Sequence, residues 1–520
     1  MTSEQPFSSI GVMENDGSLS RRAVKSGVFV TISKVIRYGF TFITHLILLN
    51  LLSPADFGMM RYVTVVLGFI NLINDAGFKY AIVQKKHVDK GEIFSSFLLS
   101  ILFGAMMYVA IFLVAPLVAS FAGNPQIIPL IRVGGIAAFT GGASVIQRGL
   151  MQRQFRFARL SLIDIICAVA GSSSGIALAL NGKGVWALVS SIVVYNSLMF
   201  LFCTTAAGIP FRSAFNFRST FAVMSFGFKD ILSKIFSYAS VNLDYIIIGR
   251  YFGEQILGIY GFAYSVMLIV NTAFGILFND IGISLFSRLQ GDPKKSGTLF
   301  LKMTQAVTLV TIPYVIIIML SASGVVEVIS FVKHNHQWAP SIPYLVQLAP
   351  VGLFYTFAGF PAMVWTANGL NRLRIFWQLL SLFTVVIAIL IGAHFGPVQV
   401  CTALLIRAVV MLPVSIYVNS KYTGVTPLSH LKILTAPVTC GVIAIVVALV
   451  LHNITFFKEI SYGWQSLSID VSVIVSVYVG SMWLFFRSIF TDLEKLFSIA
   501  GLGWVFPWKQ RKLQERSTGV

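Results

Sequence analysis

Charge is scarce in this chain: only 11% of its 520 residues are Asp, Glu, Lys or Arg, and the acids are outnumbered 19 to 38. A soluble chain carries roughly 25% charge to cover its surface, so the water-soluble globular classes are excluded. Cysteine is rarer still. Cys167, Cys203, Cys401 and Cys440 all fall inside apolar runs without CxxC spacing, which excludes a disulfide framework and a thiolate metal site. His334-Asn335-His336 has no third ligand within helical reach, so no metal is expected. Gly501-Leu502-Gly503 lacks the strand, turn and third glycine of a nucleotide loop. With no Walker or Ser/His/Asp constellation in view, neither a cofactor nor enzymatic activity is expected.

What the chain has in excess is apolar length: 56% of residues are hydrophobic and the mean hydropathy is +0.83. A bilayer core of about 30 Å requires roughly 20 apolar residues in a helix. Runs of that length lie near 28–52, 57–83, 93–121, 127–146, 160–180, 185–206, 223–248, 256–285, 299–329, 342–365, 375–393, 398–418, 433–451 and 467–486. The expected fold class is therefore all-α, a polytopic membrane protein with about fourteen transmembrane helices.

The net charge of +19 does not point to nucleic acid, because the basic residues sit between apolar runs and form no polar module. They read as topology. One alternate set of connections carries Lys85, Lys86 and Lys90, Arg148, Arg153 and Arg156, Arg288 and Lys294, and Arg372 and Arg374, while the other set holds little beyond Lys183, Arg250, Lys333 and Lys458. The positive-inside rule makes the first set cytoplasmic, with both termini on that side. Residues 1–25 are polar and lack an apolar stretch with a small-residue cleavage site, so they are expected to be a cytoplasmic tail and not a signal peptide.

A weak internal repeat runs through these helices. Leu51-Leu52-Ser53-Pro54-Ala55-Asp56-Phe57-Gly58 parallels Tyr251-Phe252-Gly253-Glu254-Gln255-Ile256-Leu257-Gly258 at an offset of about 200, where Lys34 also falls on Lys234 and Asn71 on Asn271. Six helices per repeat insert in the same orientation, related by an axis along the membrane normal. The expected organisation is a polar tail over 1–25, two six-helix lobes in parallel repeat over 26–210 and 211–422, an appended hairpin over 423–490 and a basic tail over 491–520.

Ionisable residues concentrate at the start of each repeat, in spans one, two, seven and eight, whereas spans three, six and nine to fourteen read as cleaner. Each charge at the bilayer centre costs roughly 2.5–3.5 kcal/mol, so these groups are expected to face one another or water. On the first span Lys34, Arg37, Thr41 and His45 follow helical steps of three and four, which puts them on one face. Asp230, Lys234, Ser237 and Asp244 form a similar stripe on the seventh, and Arg61 and Asp75 lie on the second. Plainer roles stand beside this reading: Asp75 and Lys79 form an i, i+4 pair, and Arg61, Arg250 and Asp280 could snorkel at span ends. The cationic set Lys34, Arg37, His45, Arg61 and Lys234 suits an anionic ligand, and Asp75, Asp230 and Asp244 suit a coupling cation or proton.

Several motifs stand in a fixed order along the chain: Leu52-Ser53-Pro54-Ala55-Asp56-Phe57-Gly58, Asp75-Ala76-Gly77 with Ile82-Val83-Gln84, Arg153-Gln154-Phe155-Arg156-Phe157, the run from Asn242 to Arg250, and Ser287-Arg288-Leu289-Gln290. In these the chain resembles the polysaccharide transporter branch of the multidrug/oligosaccharidyl-lipid/polysaccharide exporter superfamily. It covers about residues 25 to 417 and fades in the last hairpin. It implies a two-lobed bundle with rocking-bundle alternating access. The implied activity is movement of an undecaprenyl-pyrophosphate-linked oligosaccharide across the bacterial inner membrane for exopolysaccharide, capsule or lipopolysaccharide O-antigen synthesis. The implied partners are that lipid-linked oligosaccharide, membrane lipids, protons or sodium, and a polymerase with a chain-length regulator. Two alternatives stay open: a membrane-embedded polymerase or ligase of lipid-linked sugars, and a flippase for a different lipid-linked precursor.

Overall fold

The computed structural model describes residues 33, 36–75, 89–210, 217–289, 292–329, 336–453 and 464–487. Among these residues the regular structure is helical and no strand occurs. Among the described residues eleven helices are long and apolar enough to cross a membrane, and Ile36–Leu51 is a shorter apolar helix. Prolines inside several of them, such as Pro116, Pro313 and Pro413, are compatible with membrane helices, where neighbouring groups satisfy the freed carbonyls.

Helix starts follow from local chemistry. Ser53 precedes Pro54–Asp75, and the Asp56 carboxylate accepts from the Ser53 N–H at 2.9 Å and the Ser53 hydroxyl at 2.7 Å. The Asp56 N–H donates back to Ser53 Oγ at 3.2 Å. This reciprocal capping box with proline in the first turn explains why the chain turns into a helix there.

The chain divides into two compact units. The first comprises 1–51, 63–120 and 124–232; the second comprises 52–62, 121–123 and 233–520. In the first, a core of Ile93, Phe97, Ile146, Met151, Cys167, Met199 and Cys203 joins helices Lys90–Ala122, Val145–Arg153, Phe157–Leu180 and Trp186–Ala207. Phe157–Leu180 and Trp186–Ala207 approach closely because Gly171 and Gly175 face Ser191: a Cβ on Gly171 would lie 2.6 Å from the Ser191 carbonyl, and one on Gly175 would overlap Ser191 Oγ. Small residues four apart allow such approach, which matters in lipid, where packing replaces the hydrophobic effect.

Phe217–Arg288, which enters the second unit at Ser233, is one helical stretch broken at Gly253, whose φ of 79° and ψ of 177° belong to a region that is essentially glycine-only. The sequence reading placed a connection between spans there; one residue accomplishes it. The last two helices, Pro427–Asn453 and Trp464–Phe485, pack on Pro293–Leu320 through Ile312, Ile316, Cys440, Ala444, Ile474 and Tyr478. Buried Ser321 donates to Asp470 at 2.8 Å.

The segments around 54–61 and 254–261 meet closely. A Cβ on Gly58 would overlap the Glu254 carbonyl, and one on Gly258 would overlap the Pro54 carbonyl. Exchanging the two segments, 58 for 258 and 254 for 54, turns one contact into the other. Arg61 meets Gly261, 200 residues further along, donating to the Gly261 carbonyl at 2.8 Å. The two segments thus meet glycine against carbonyl in both directions.

Candidate functional site

Two clusters of ionisable side chains are built inside the apolar helices, one in each unit. In the first unit Arg37 Nε lies 3.0 Å from Asp164 Oδ2, and the Tyr195 hydroxyl donates to Asp164 Oδ1 at 2.5 Å. The Arg37 guanidinium also rests over the Tyr38 ring at 4.4 Å. Helices Ile36–Leu51, Phe157–Leu180 and Trp186–Ala207 supply one member each of this ion triad. Roughly a quarter of each charged side chain remains exposed, 25% for Arg37 and 27% for Asp164, so the pair is accessible to a competing anion or cation.

In the second unit Asp244 is 3% exposed and sits one residue before Tyr245. Its Oδ2 accepts from the Tyr260 hydroxyl at 2.7 Å, and its Oδ1 accepts from the Tyr245 N–H at 2.8 Å. Tyr245 stacks edge-on against Tyr260 and Tyr264, with centroids 5.9 and 5.4 Å away. The Tyr264 and Tyr355 hydroxyls are 3.1 Å apart. Arg61 lies over the Tyr245 ring at 4.9 Å and donates to the Gly261 carbonyl and the Ser265 hydroxyl. The Gly253 break makes this arrangement possible, since Asp244 and Tyr260 belong to the helical segments on either side of it. A carboxylate so enclosed must be held by donors, because burying it unpaired costs several kcal/mol.

The structure therefore brings Arg61 and Asp244 to one tyrosine cluster and places Arg37 in a different one. His45 is exposed on the same helix as Arg37, and Lys234 is half-buried on Phe217–Arg288. Lys34 lies outside the described residues. Asp75 and Asp230 lie on helices, but their side chains are outside the described ones. Among the described residues no group of three or more His, Cys, Asp or Glu side chains could hold a metal ion.

Among the intramembrane charges that the sequence reading did not single out are Asp164, Arg407 and Asp470. Spans nine to fourteen, read as cleaner than the first two of each repeat, carry Arg407 on Pro397–Thr423 and Asp470 on Trp464–Phe485. None of the three has another charge three or four residues away on its helix, so no helical stripe marked it. The per-residue insertion cost alone would have found it.

Comparisons with known proteins agree with this architecture. The family described as "Polysaccharide biosynthesis protein" matches the chain over residues 47–343. The chain is similar to the lipopolysaccharide biosynthesis protein WzxC of Escherichia coli (strain K12), 21% identical over 407 residues, 78% of this chain and 82% of that one. It is also similar to the succinoglycan biosynthesis transport protein ExoT of Rhizobium meliloti (strain 1021), 25% identical across 61% of this chain and 64% of that one, a little under two thirds of the relative's length. Among solved structures, the inward closed lipid II flippase MurJ superposes with a TM-score of 0.72 at 11% identity, covering 89% of this chain and 100% of that one. An inward-facing multidrug resistance transporter of the MATE family superposes with a TM-score of 0.59 at 14% identity, covering 77% and 99%. These likenesses give the fold, a multi-pass helical bundle, and the family match over more than half of the residues gives the lineage: the chain belongs to the polysaccharide biosynthesis protein family.

Proposed function

We propose that this protein is a flippase that moves an undecaprenyl-pyrophosphate-linked oligosaccharide repeat unit from the cytoplasmic to the periplasmic leaflet of the bacterial inner membrane, with fourteen crossings and both termini in the cytoplasm. The observation that carries the reading is a chain of the polysaccharide biosynthesis family in which charge is held inside membrane-length helices, at Arg37 with Asp164 and at Arg61 with Asp244. The transport designation of the relative ExoT supports it. Lys34, Arg37, His45, Arg61 and Lys234 attract the pyrophosphate and the glycan, and the prenyl tail stays in lipid. Asp244, with Asp75 and Asp230, senses a coupling proton or sodium ion. A ligand drives alternating access only where the inward and outward states hold it unequally, and an ion pair such as Arg37–Asp164 that opens to a diphosphate supplies such a difference. A polymerase and a chain-length regulator act on the delivered units.

The test is charge reversal at Lys34 and Lys234 in a strain lacking the chromosomal copy. The double variant is expected to insert in the membrane at normal abundance, to stop surface polysaccharide and to accumulate lipid-linked repeat units in the inner leaflet. Normal polymer from that variant would remove these lysines from the path.

A further inference from the structure

Arg407 is a charged group that the transport path proposed above does not use. It lies near the middle of Pro397–Thr423, a helix apolar enough to span a membrane, where an arginine costs roughly 2.5–3.5 kcal/mol to insert. Its guanidinium is fixed from one side. Nε donates to Thr384 Oγ1 at 3.0 Å, and Nη2 donates to the Ser381 carbonyl at 3.1 Å and the Ser381 hydroxyl at 2.7 Å. All three acceptors are neutral, so they orient the cation without cancelling its charge. Among the described residues no carboxylate pairs with Arg407, and Nη1 has no acceptor. The same residue lines a cavity with Tyr355, Trp377, Ser381 and Ser415, and it is the one charged side chain in that lining.

A fixed cation with an uncommitted N–H edge, flanked by aromatic rings and hydroxyls, suits an oxyanion carried on a ring that has an apolar face and polar edges. Charge decides which oxyanion. A diphosphate bears at least two negative charges, and one guanidinium would leave part of that charge uncompensated in a membrane-embedded cavity, at a cost of several kcal/mol. A carboxylate bears one charge and matches the planar guanidinium fork. We infer that this cavity is a subsite for a single carboxylate-bearing sugar residue, with Arg407 Nη1 on the carboxylate, Trp377 and Tyr355 along the ring face and the Ser381 and Ser415 hydroxyls at its edge. The origin of that sugar in a transported glycan rests on the flippase reading; the binding itself does not.

The experiment uses the full chain in lipid nanodiscs and measures affinity for methyl glucuronide, methyl glucoside and inorganic pyrophosphate by calorimetry. The wild type is expected to bind the glucuronide at least tenfold more tightly than the glucoside, and pyrophosphate is expected not to displace it at equal concentration. Arg407→Gln is expected to bring the glucuronide down to the affinity of the glucoside, and Arg407→Lys to restore part of the preference. Trp377→Ala weakens both glycosides and leaves their ratio unchanged. Equal affinity for the two glycosides in the wild type, displacement by pyrophosphate, or an Arg407→Gln variant that keeps its preference would each overturn the assignment. Flipping of lipid-linked sugar by the same preparations, read separately, tells a failure of this subsite from a failure of the transport reading.

Discussion

The reciprocal glycine contact makes a quantitative prediction about non-additivity. Gly58 sits on the Glu254 carbonyl and Gly258 on the Pro54 carbonyl, each so close that a methyl group would overlap the oxygen. Gly58→Ala therefore forces the two helical segments apart by on the order of 1 Å, and a gap of that size forfeits a quarter to a half of the dispersion energy at each contact it opens. It also stretches the neighbouring Arg61 bond to the Gly261 carbonyl, now 2.8 Å. Overpacking of this kind costs about 1–3 kcal/mol, and Gly258→Ala is expected to cost the same by the same route. The two changes are relieved by one movement, however. Once the segments have separated for the first methyl, the second enters space already opened, so the double variant is expected to lose less than about 1 kcal/mol beyond the worse single, a coupling typical of residues sharing a contact. Unfolding of detergent-solubilised protein, followed by loss of the monodisperse chromatographic peak with temperature, measures all three. Gly480→Ala is the control, because nothing lies within 4 Å of its added carbon and alanine is the better helix former by about 1 kcal/mol. Penalties that simply add, or a Gly480→Ala loss as large as that at Gly58, would refute the reasoning.

Two further predictions come from single contacts. Asp164→Asn removes the charge that holds Arg37 at 3.0 Å and is expected to reduce surface polysaccharide, with the Arg37→Gln/Asp164→Asn pair recovering more than either single; a double variant worse than both would mean that the charges act separately. At the start of Pro293–Leu320, the Asp292 carboxylate accepts from the Lys295 N–H at 3.1 Å and pairs with Lys295 Nζ at 3.0 Å, and the backbone bond first, then the Lys295 side chain, hold its pKa below the ordinary value. Since its folded pKa is depressed, its contribution is present above the unfolded value of about 3.9 and is lost as pH falls through the lower folded value. Amide exchange in the first helical turn is expected to rise only in that acidic window, and Asp292→Ala to show the fast exchange already at neutral pH.

Membrane-length helices were legible because each needs only an unbroken apolar run, a signal that survives low sequence identity. The start of the helix at Ser53-Pro54-Ala55-Asp56-Phe57-Gly58 was legible because a capping box and a close-packed glycine constrain that turn. Partner choice was not legible. Arg37 was read with its own helix, yet its counter-charge is Asp164 on another; helical periodicity reports which residues share a face and says nothing of what that face meets. The Asp244 bond to Tyr260 crosses the Gly253 break, and a sequence pattern that assumes a loop there cannot bring the two together. Arg407 escaped for the opposite reason, having neither a striped helix nor a nearby acid to draw attention to it.

The meeting of Arg61 with Gly261 divides two tasks between two segments. A Cβ on residue 261 would already lie 2.7 Å from Arg61 Nε, which leaves room for a large group on one side only. An arginine at 61 therefore obliges position 261 to stay small, and a second long cation there would compete for the same volume and repel the first. One segment supplies the charge and the other makes space for it.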